Sequence, residues 1–593
     1  MTSSADVSAI GPLPPALSSM WRLCRLGYRH EPGLMLAAFV LSLVAALPDA
    51  LLAVWLMWLA TGRVREAAIG LALSAAGTWL LETVSTRVQR RFRDKVTIAL
   101  ETHVAMLQAT VATIAHQERP EYLDRLSVLR HQVFVLDHMY MSVFTTSGWM
   151  LRLAVTIALL MSVHPALVLL AVFAVPTVLT TTWRPGVERA AQERGAQAAR
   201  LARHLFTVAT TAPPGKDVRV AGLGPRLVAD RRAAWEQWYG PVSGTRWVSA
   251  AWHSMAWTVF GAAYAGAIVF VSSALGAPAA QVLLVLAAGA RLSQYIGATV
   301  GEIGFLRGIW MDGSQRLAWL EDYTSALAGV ADRTAPDALH QGIRLDHVSF
   351  SYPGTSRLVL DDLSLTLPCG KVVAIVGENG AGKTTLVKLL AKLYEPTSGE
   401  ILIDAIPLAR LPAGKWRERL AGAFQDFFRF EFTARQAVGL GDVAHIDNDA
   451  RVQAAIARAG AGDVIAGLPA GLETQLGPAW PGGVDVSFGQ WQKLALARGF
   501  MREAPLLLVL DEPTAALDAE TEHALFEHYA EAAHGDLGRI TILVSHRFST
   551  VRMADLIVVL DGARLAEMGT HSELMARGGP YSELYAIQAQ AYR

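Results

Sequence analysis

The chain has 593 residues with 52 basic and 52 acidic side chains, so its net charge is zero and no basic field argues for nucleic acid as a partner. Hydrophobic residues make up 52% and charged residues only 18%, where an average soluble domain carries roughly 25% charged residues. That shortage of charge points to lipid-facing surface, and two widely separated cysteines, Cys24 and Cys369, exclude both a disulfide framework and a cysteine metal cluster.

The first thirty residues hold no apolar core followed by a small-residue cleavage site, so no removable signal peptide is expected. Arg22, Arg25 and Arg29 precede the first long apolar run and place this end in the cytoplasm by the positive-inside tendency. Apolar stretches long enough to cross about 30 Å of hydrocarbon occur near 33–60, 67–88, 140–163, 165–183, 247–275 and 278–306. Six crossings return the chain to the side on which it started. The short connections at 61–66, 162–165 and 273–277 should face outward. The long polar segments 89–139 and 184–246 should face inward as helical extensions of the spans, with Arg87, Arg90, Arg91 and Arg93 at the first exit and Pro120 marking a turn.

Residues 326–341 lack apolar periodicity and read as a linker. From 342 onward short strands, glycine turns and amphipathic helices alternate, the pattern of an α/β domain. The expected organisation is therefore multidomain: a cytoplasmic segment 1–30, an all-α six-span region 31–325, the linker, and an α/β P-loop NTPase domain over 342–593.

Within that last domain, "VGENGAGKTTLVKLL" (376–390) follows the strand-like run "KVVAIV" and opens a helix. Gly377, Gly380, Gly382, Lys383 and Thr384 fit the phosphate-loop spacing. The glycines let the backbone of Glu378, Asn379, Ala381 and Thr385 approach a phosphate chain. Lys383 should reach the β- and γ-phosphates, and Thr384 should ligate Mg²⁺. "LLLVLDEPT" (506–514) is an apolar strand ending in two carboxylates. Asp511 is placed for the Mg²⁺ shell, and Glu512 to orient and polarise an attacking water.

Taken with these, the remaining motifs resemble the ATP-binding cassette (ABC) transporters of exporter-type fold over nearly the whole chain. "VSFGQWQKLALAR" (486–498) is similar to the family signature, Gln425 in "GAFQDFF" to the Q-loop, Asp518 in "AALD" to the D-loop, His546 in "LVSHR" to the switch histidine, and Tyr352 in "FSYPG" to the adenine-stacking aromatic. The resemblance implies two cassettes closing head to tail, with Ser487, Gly489 and Gln490 acting on nucleotide held at Lys383 of the other copy. It also implies Glu512 as general base, His546 at the γ-phosphate, and Gln425 near the metal and linked to the membrane half. The bends near 118–122 and 213–218 correspond to coupling elements. Two departures stand out: Phe488 and Val486 replace the usual glycine and leucine, and Pro478 occupies a common glutamate position in a longer preceding loop.

The spans also contain Asp49, Glu82, Arg152, Arg291 and Glu302, which should face a cavity or pair with each other. The expected function is ATP-driven export of an amphipathic solute, lipid, drug or peptide by alternating access. The catalytic set is complete for a homodimer, with a heterodimer left open. A bacterial inner membrane is the expected location. The competing readings are an exporter-fold importer of a metal chelate and a membrane ATPase that regulates without transporting.

Overall fold

A computed structural model describes residues 11–591 apart from 132–133, 212, 308–310, 328–330, 513–537 and 546. The chain forms two compact units that do not follow chain order. Among the described residues, one comprises Thr110–Asp124 and the chain from Tyr323 onward; the other comprises Gly11–Ala109 and Arg125–Asp322.

The second unit is helical. Among the described residues five helices are long and apolar enough to cross a bilayer: Pro32–Ala60, Val64–Ala109, Leu136–Val163, Gly224–Ala274 and Ala279–Phe305. Where the fourth crossing was expected, the chain is helical in the pieces Pro165–Val168, Leu169–Phe173 and Val175–Arg194, with Pro165–Thr180 as an apolar helix among the described residues. It begins as a 3₁₀ turn capped by the His164 ring, and its helical pieces separate at Ala174. Two helices extend far beyond any apolar core. Val64–Ala109 and Gly224–Val269 each run 46 residues, about 69 Å at 1.5 Å per residue, and the second continues through Pro241. The bend expected near 213–218 is the six-residue helix Gly215–Val220, whose last side chain is 90% exposed.

The intramembrane charges sort into pairs. Asp49 accepts from the Arg291 guanidinium and the Tyr295 hydroxyl, both at 2.8 Å, and Arg152 lies 3.6 Å away. Ser142 donates to Glu302 at 3.1 Å. These contacts tie the first, third and last apolar helices through groups whose burial as lone charges would be costly. Glu82 sits instead on an open hollow with Trp79, Arg87 and Arg90.

The first unit carries two sheets. An antiparallel sheet has the order β2-β1-β4-β5, built from β1 (Gly342–Phe350), β2 (Leu360–Pro368), β4 (Ser398–Ile403) and β5 (Ile406–Pro407). A six-stranded sheet has the order β10-β9-β3-β8-β7-β6, from β3 (Val372–Gly377), β6 (Leu420–Ala423), β7 (Leu507–Asp511), β8 (Ile540–Val544), β9 (Leu556–Asp561) and β10 (Arg564–Gly569). It is parallel except where β10 returns antiparallel on β9. The central strands are continuous apolar runs because both faces are covered: every residue of β7 and β8 is buried. One core joins the two sheets through Val373, Ile375, Leu386 and Trp416; a second, around Ala437, Val452, Trp491 and Leu494, supports the helices inserted between β6 and β7.

The segment Thr110–Asp124 belongs to this unit. Ile114 and Ala115 pack on the first core, the Ile114 N–H donates to the Leu393 carbonyl at 3.0 Å, and Arg417 donates to the Ala112, Ala391 and Lys392 carbonyls. The interruption expected at Pro120 is a non-α-helical break over 110–119. Pro120 starts the next helix, where its missing N–H costs nothing.

Candidate functional site

A strand-to-helix turn forms the floor of a cavity of about 830 Å³. β3 delivers the chain to Gly377, and the helix Lys383–Leu390 begins after Gly382. Gly377 at φ 152° and Gly382 at φ 97° are positions where a side chain has no room. An added Cβ would lie 2.2 Å from the Leu560 carbonyl oxygen in the first case and 2.7 Å from that of Val359 in the second. Glu378, Asn379, Gly380, Ala381, Lys383, Thr384 and Thr385 all line the cavity with Tyr352, Gln425 and Glu512. A loop whose N–H groups open a helix beneath such a cavity is an anion cradle.

The charged groups are arranged around it. The Lys383 ammonium donates to the carbonyls of Gly377 (2.8 Å) and Glu378 (2.9 Å), inside its own loop, and burial holds its pKa below the usual lysine range. Asp511 ends the buried strand β7, and among the described residues no hydrogen-bond partner meets its carboxylate oxygens within ordinary geometry. Burial pushes this carboxyl up to about 6, with the neighbouring Thr384 hydroxyl opposing the shift. A buried carboxylate beside a threonine hydroxyl and a phosphate-binding turn fits a hard divalent cation.

Glu512 adopts φ 49°, a conformation L residues rarely take. Its N–H bonds the Val544 carbonyl at 2.9 Å, and the Gln425 amide donates to its carboxylate at 2.7 Å. The strained turn swings the carboxylate away from the buried strand into the cavity, next to Asp511 but on the open side. Tyr352 is also present there, yet its hydroxyl pairs with Thr385 at 2.9 Å while its ring packs edge-on against Phe350 and Tyr394.

Ser487, Gly489 and Gln490 are not part of this cavity lining. They open the helix Phe488–Gly499, where the Ser487 hydroxyl accepts from the Gln490 N–H (3.3 Å) and the Gln490 side chain accepts from the Ser487 N–H (2.8 Å). That reciprocal capping box presents Ser487 at an exposed helix start. His546 and Asp518 lie outside the described residues. The cavity also includes groups that sequence reasoning missed: Arg357, five residues past Tyr352, and the Asp561–Gly562–Ala563 turn joining β9 and β10. The loop following Tyr352 gave a hint of the first; nothing local marks the second.

The pH dependence of Asp511 has a definite sign. Its folded pKa lies above the free-acid value of 3.8, so the fold holds this proton more tightly than the unfolded chain does. Stability from that proton is complete below about pH 4 and is lost as pH rises through about 6, amounting to about 3 kcal/mol at most. Asp511→Asn should therefore raise the melting temperature of the nucleotide-free protein at pH 7.5, by a margin that vanishes near pH 4. The same variant should lose Mg²⁺-dependent nucleotide retention. Equal melting curves at pH 7.5 would refute this account of the carboxylate.

Residues 360–515 match the family described as ABC transporter. The chain is 43% identical over 247 residues to an ATP-dependent lipid A-core flippase of Cupriavidus metallidurans, covering 41% of this chain and 40% of that protein. It is 41% identical over 252 residues to the flippase of the same description from Pseudomonas fluorescens, covering 42% and 40%. The chain thus spans about two fifths of the length of the curated relatives that it matches. A solved structure described as a bacterial Atm1-family ABC exporter with ATP bound superposes with a TM-score of 0.74 at 24% identity, covering 94% of this chain and 99% of that one. Residues 360–515 thus match the ABC transporter family model, and the chain, a multi-pass membrane protein by its apolar helices, has the fold of an ABC exporter.

Proposed function

We propose that this chain is one half of an ATP-driven exporter that moves an amphipathic, lipid-like solute out of the cytoplasm, working as a pair of copies in a bacterial inner membrane. The observation that carries the reading is the division of the site. Gln425 and Glu512 meet at 2.7 Å over the phosphate loop, while Ser487 stands exposed at a helix start outside that cavity. One cassette thus offers a nucleotide bed without its lid, and a second copy facing it supplies Ser487, Gly489 and Gln490. In this scheme 1–30, 31–325, 326–341 and 342–593 serve as cytoplasmic segment, membrane half, linker and cassette. The relatives' description as lipid A-core flippases supports a lipid or amphiphile as cargo.

Each residue then has a task. Backbone N–H groups from Gly377 to Thr385 hold the phosphate chain, and Lys383 leaves its loop carbonyls to neutralise the outer phosphates. Thr384, Asp511 and Gln425 would hold Mg²⁺, which supplies positive charge against the phosphate oxygens. Glu512 accepts a hydrogen bond from the attacking water and takes its proton. Tyr352 turns from Thr385 to stack on adenine. His546 and Asp518 complete the γ-phosphate end and the contact between copies, roles taken from the family resemblance.

The test is transport in two orientations. Inside-out vesicles carrying the protein should accumulate fluorescent lipid or amphiphile on addition of ATP, and Lys383→Ala should abolish both accumulation and ATP hydrolysis. ATP-driven uptake in the opposite direction, or hydrolysis with no flux of any amphiphile offered, would overturn the proposal.

A further inference from the structure

We infer that Phe488 is a positioning residue through which a cassette's signature helix controls the Gln425–Glu512 pair of its own nucleotide site, so that the two sites of a dimer fire cooperatively. The inference rests on the reading above that Ser487 meets nucleotide held by the other copy.

Phe488 begins the signature helix Phe488–Gly499 and remains 59% exposed, an unusual place for a large apolar ring. It is nevertheless engaged. Its ring lies 5.5 Å from that of Phe427 at 38°, and the Arg429 guanidinium sits 5.5 Å from its centroid. Ten residues along the same helix, about 15 Å away, Arg498 donates to the Phe428 carbonyl at 3.3 Å and covers the Phe430 ring at 4.8 Å. Residues 427–430 are therefore strapped along the helix at both ends. Beyond them, Glu431 accepts from the Trp480 indole at 3.1 Å, from the loop that precedes the signature.

The strap begins two residues after Gln425. On the other side of Gln425, β6 ends at Ala423, paired with Leu510 of β7, one residue before Asp511. Gln425 thus spans a fixed sheet edge and a segment held by the signature helix, and its amide reaches Glu512 at 2.7 Å. The opposite face of the helix is anchored in the second core by Trp491 and Leu494, so helix and core move as a piece. Any shift of that piece is passed through Phe488 and Phe427 to Gln425, altering the placement of Glu512. A glycine at 488 would remove the ring contact between the helix start and Phe427, leaving Phe427 held only by its packing on the second core and the strap by its Arg498 and Trp480 contacts.

The experiment measures ATP hydrolysis by the purified full-length dimer in detergent across ATP concentrations, reading maximal rate and Hill coefficient separately. The wild type should show a Hill coefficient above 1, and Phe488→Gly or Phe488→Leu should bring it to about 1. The maximal rate should change by less than about tenfold, because the backbone N–H at 488 is retained. Phe427→Leu should reproduce the effect, the double variant should add nothing, since both remove one contact, and Phe488→Tyr should restore cooperativity. A variant that fails to fold is replaced by its partner, because Phe427→Leu reads the same contact from the other side. A non-cooperative wild type, wild-type cooperativity in Phe488→Leu, or a rate change above tenfold would overturn the inference. The two readings fail separately: cooperative hydrolysis without flux removes the transport proposal and leaves this one standing.

Discussion

Replacing Glu512 with glutamine is expected to lower steady-state ATP hydrolysis by about 10²- to 10⁴-fold, the span of a lost general base, or about 3–5 kcal/mol of barrier. Nucleotide binding should persist. The amide keeps the size of the carboxylate and the contact with Gln425, whose amide stands 2.7 Å from Oε2, but it cannot take a proton. The phosphate cradle, Lys383 and Asp511 are untouched. Measured by phosphate release, the variant should therefore show little turnover while a fluorescent ATP analogue stays bound with near wild-type affinity. More than a tenth of wild-type activity would mean that another group polarises the water. The left-handed backbone at this position, φ 49°, adds a structural expectation: Glu512→Gly should relax the turn and so stabilise the cassette while eliminating hydrolysis.

The second large effect concerns Gly377. An alanine there would place its Cβ 2.2 Å from the Leu560 carbonyl and 3.2 Å from the Ala381 side chain, at φ 152°. Leu560 is the direct neighbour of Gly377 in the parallel pair of β3 and β9, so the clash is backbone against side chain at the sheet's centre and cannot be relieved by a rotamer. A loss of at least about 3 kcal/mol is expected, from backbone strain and steric displacement together. Nucleotide affinity should fall with it, because the same movement opens the loop. Gly380 is the internal control. It also has a positive φ, 86°, but open space around it, so Gly380→Ala should cost only about 1 kcal/mol. Thermal unfolding and nucleotide titration of the two variants separate strain from clash, and equal losses would show that φ alone governs the loop.

The phosphate loop and the strand that carries Asp511 and Glu512 were legible because their chemistry is written in adjacent residues. Spacing of glycines, a lysine and a threonine is enough to specify a turn into a helix, and five apolar residues before two carboxylates are enough to specify a buried strand. The long helix Val64–Ala109 was legible for a similar reason, through helical spacing with few breakers, and Gly224–Val269 runs on through Pro241. Over 165–183 the apolar run is helical, as Pro165–Val168, Leu169–Phe173 and the start of Val175–Arg194. The interruption expected at Pro120 is a non-α-helical break over 110–119, which ends where Pro120 opens the next helix.

Other features depend on residues distant in sequence. Tyr352 matches the adenine-stacking position in sequence, and in the fold its hydroxyl pairs with Thr385. The resemblance assigns the signature to nucleotide held by another copy, and in this chain Ser487, Gly489 and Gln490 stand outside the cavity that Lys383 lines. The charges in the spans could have been substrate contacts or partners of one another; Asp49 has two close partners and a third nearby.

The sequence by itself determined the nucleotide chemistry and the membrane-spanning character, since both follow from side-chain type repeated at short, regular intervals along one backbone. Only the tertiary structure decided that Asp511 is buried beside Thr384, that the turn at 561–563 closes the cavity, that Ile114 and Ala115 pack on the cassette core, and that Phe488 grips the segment after Gln425. Those outcomes depend on which distant surfaces exclude water from one another, a property of packing in three dimensions that no local pattern contains.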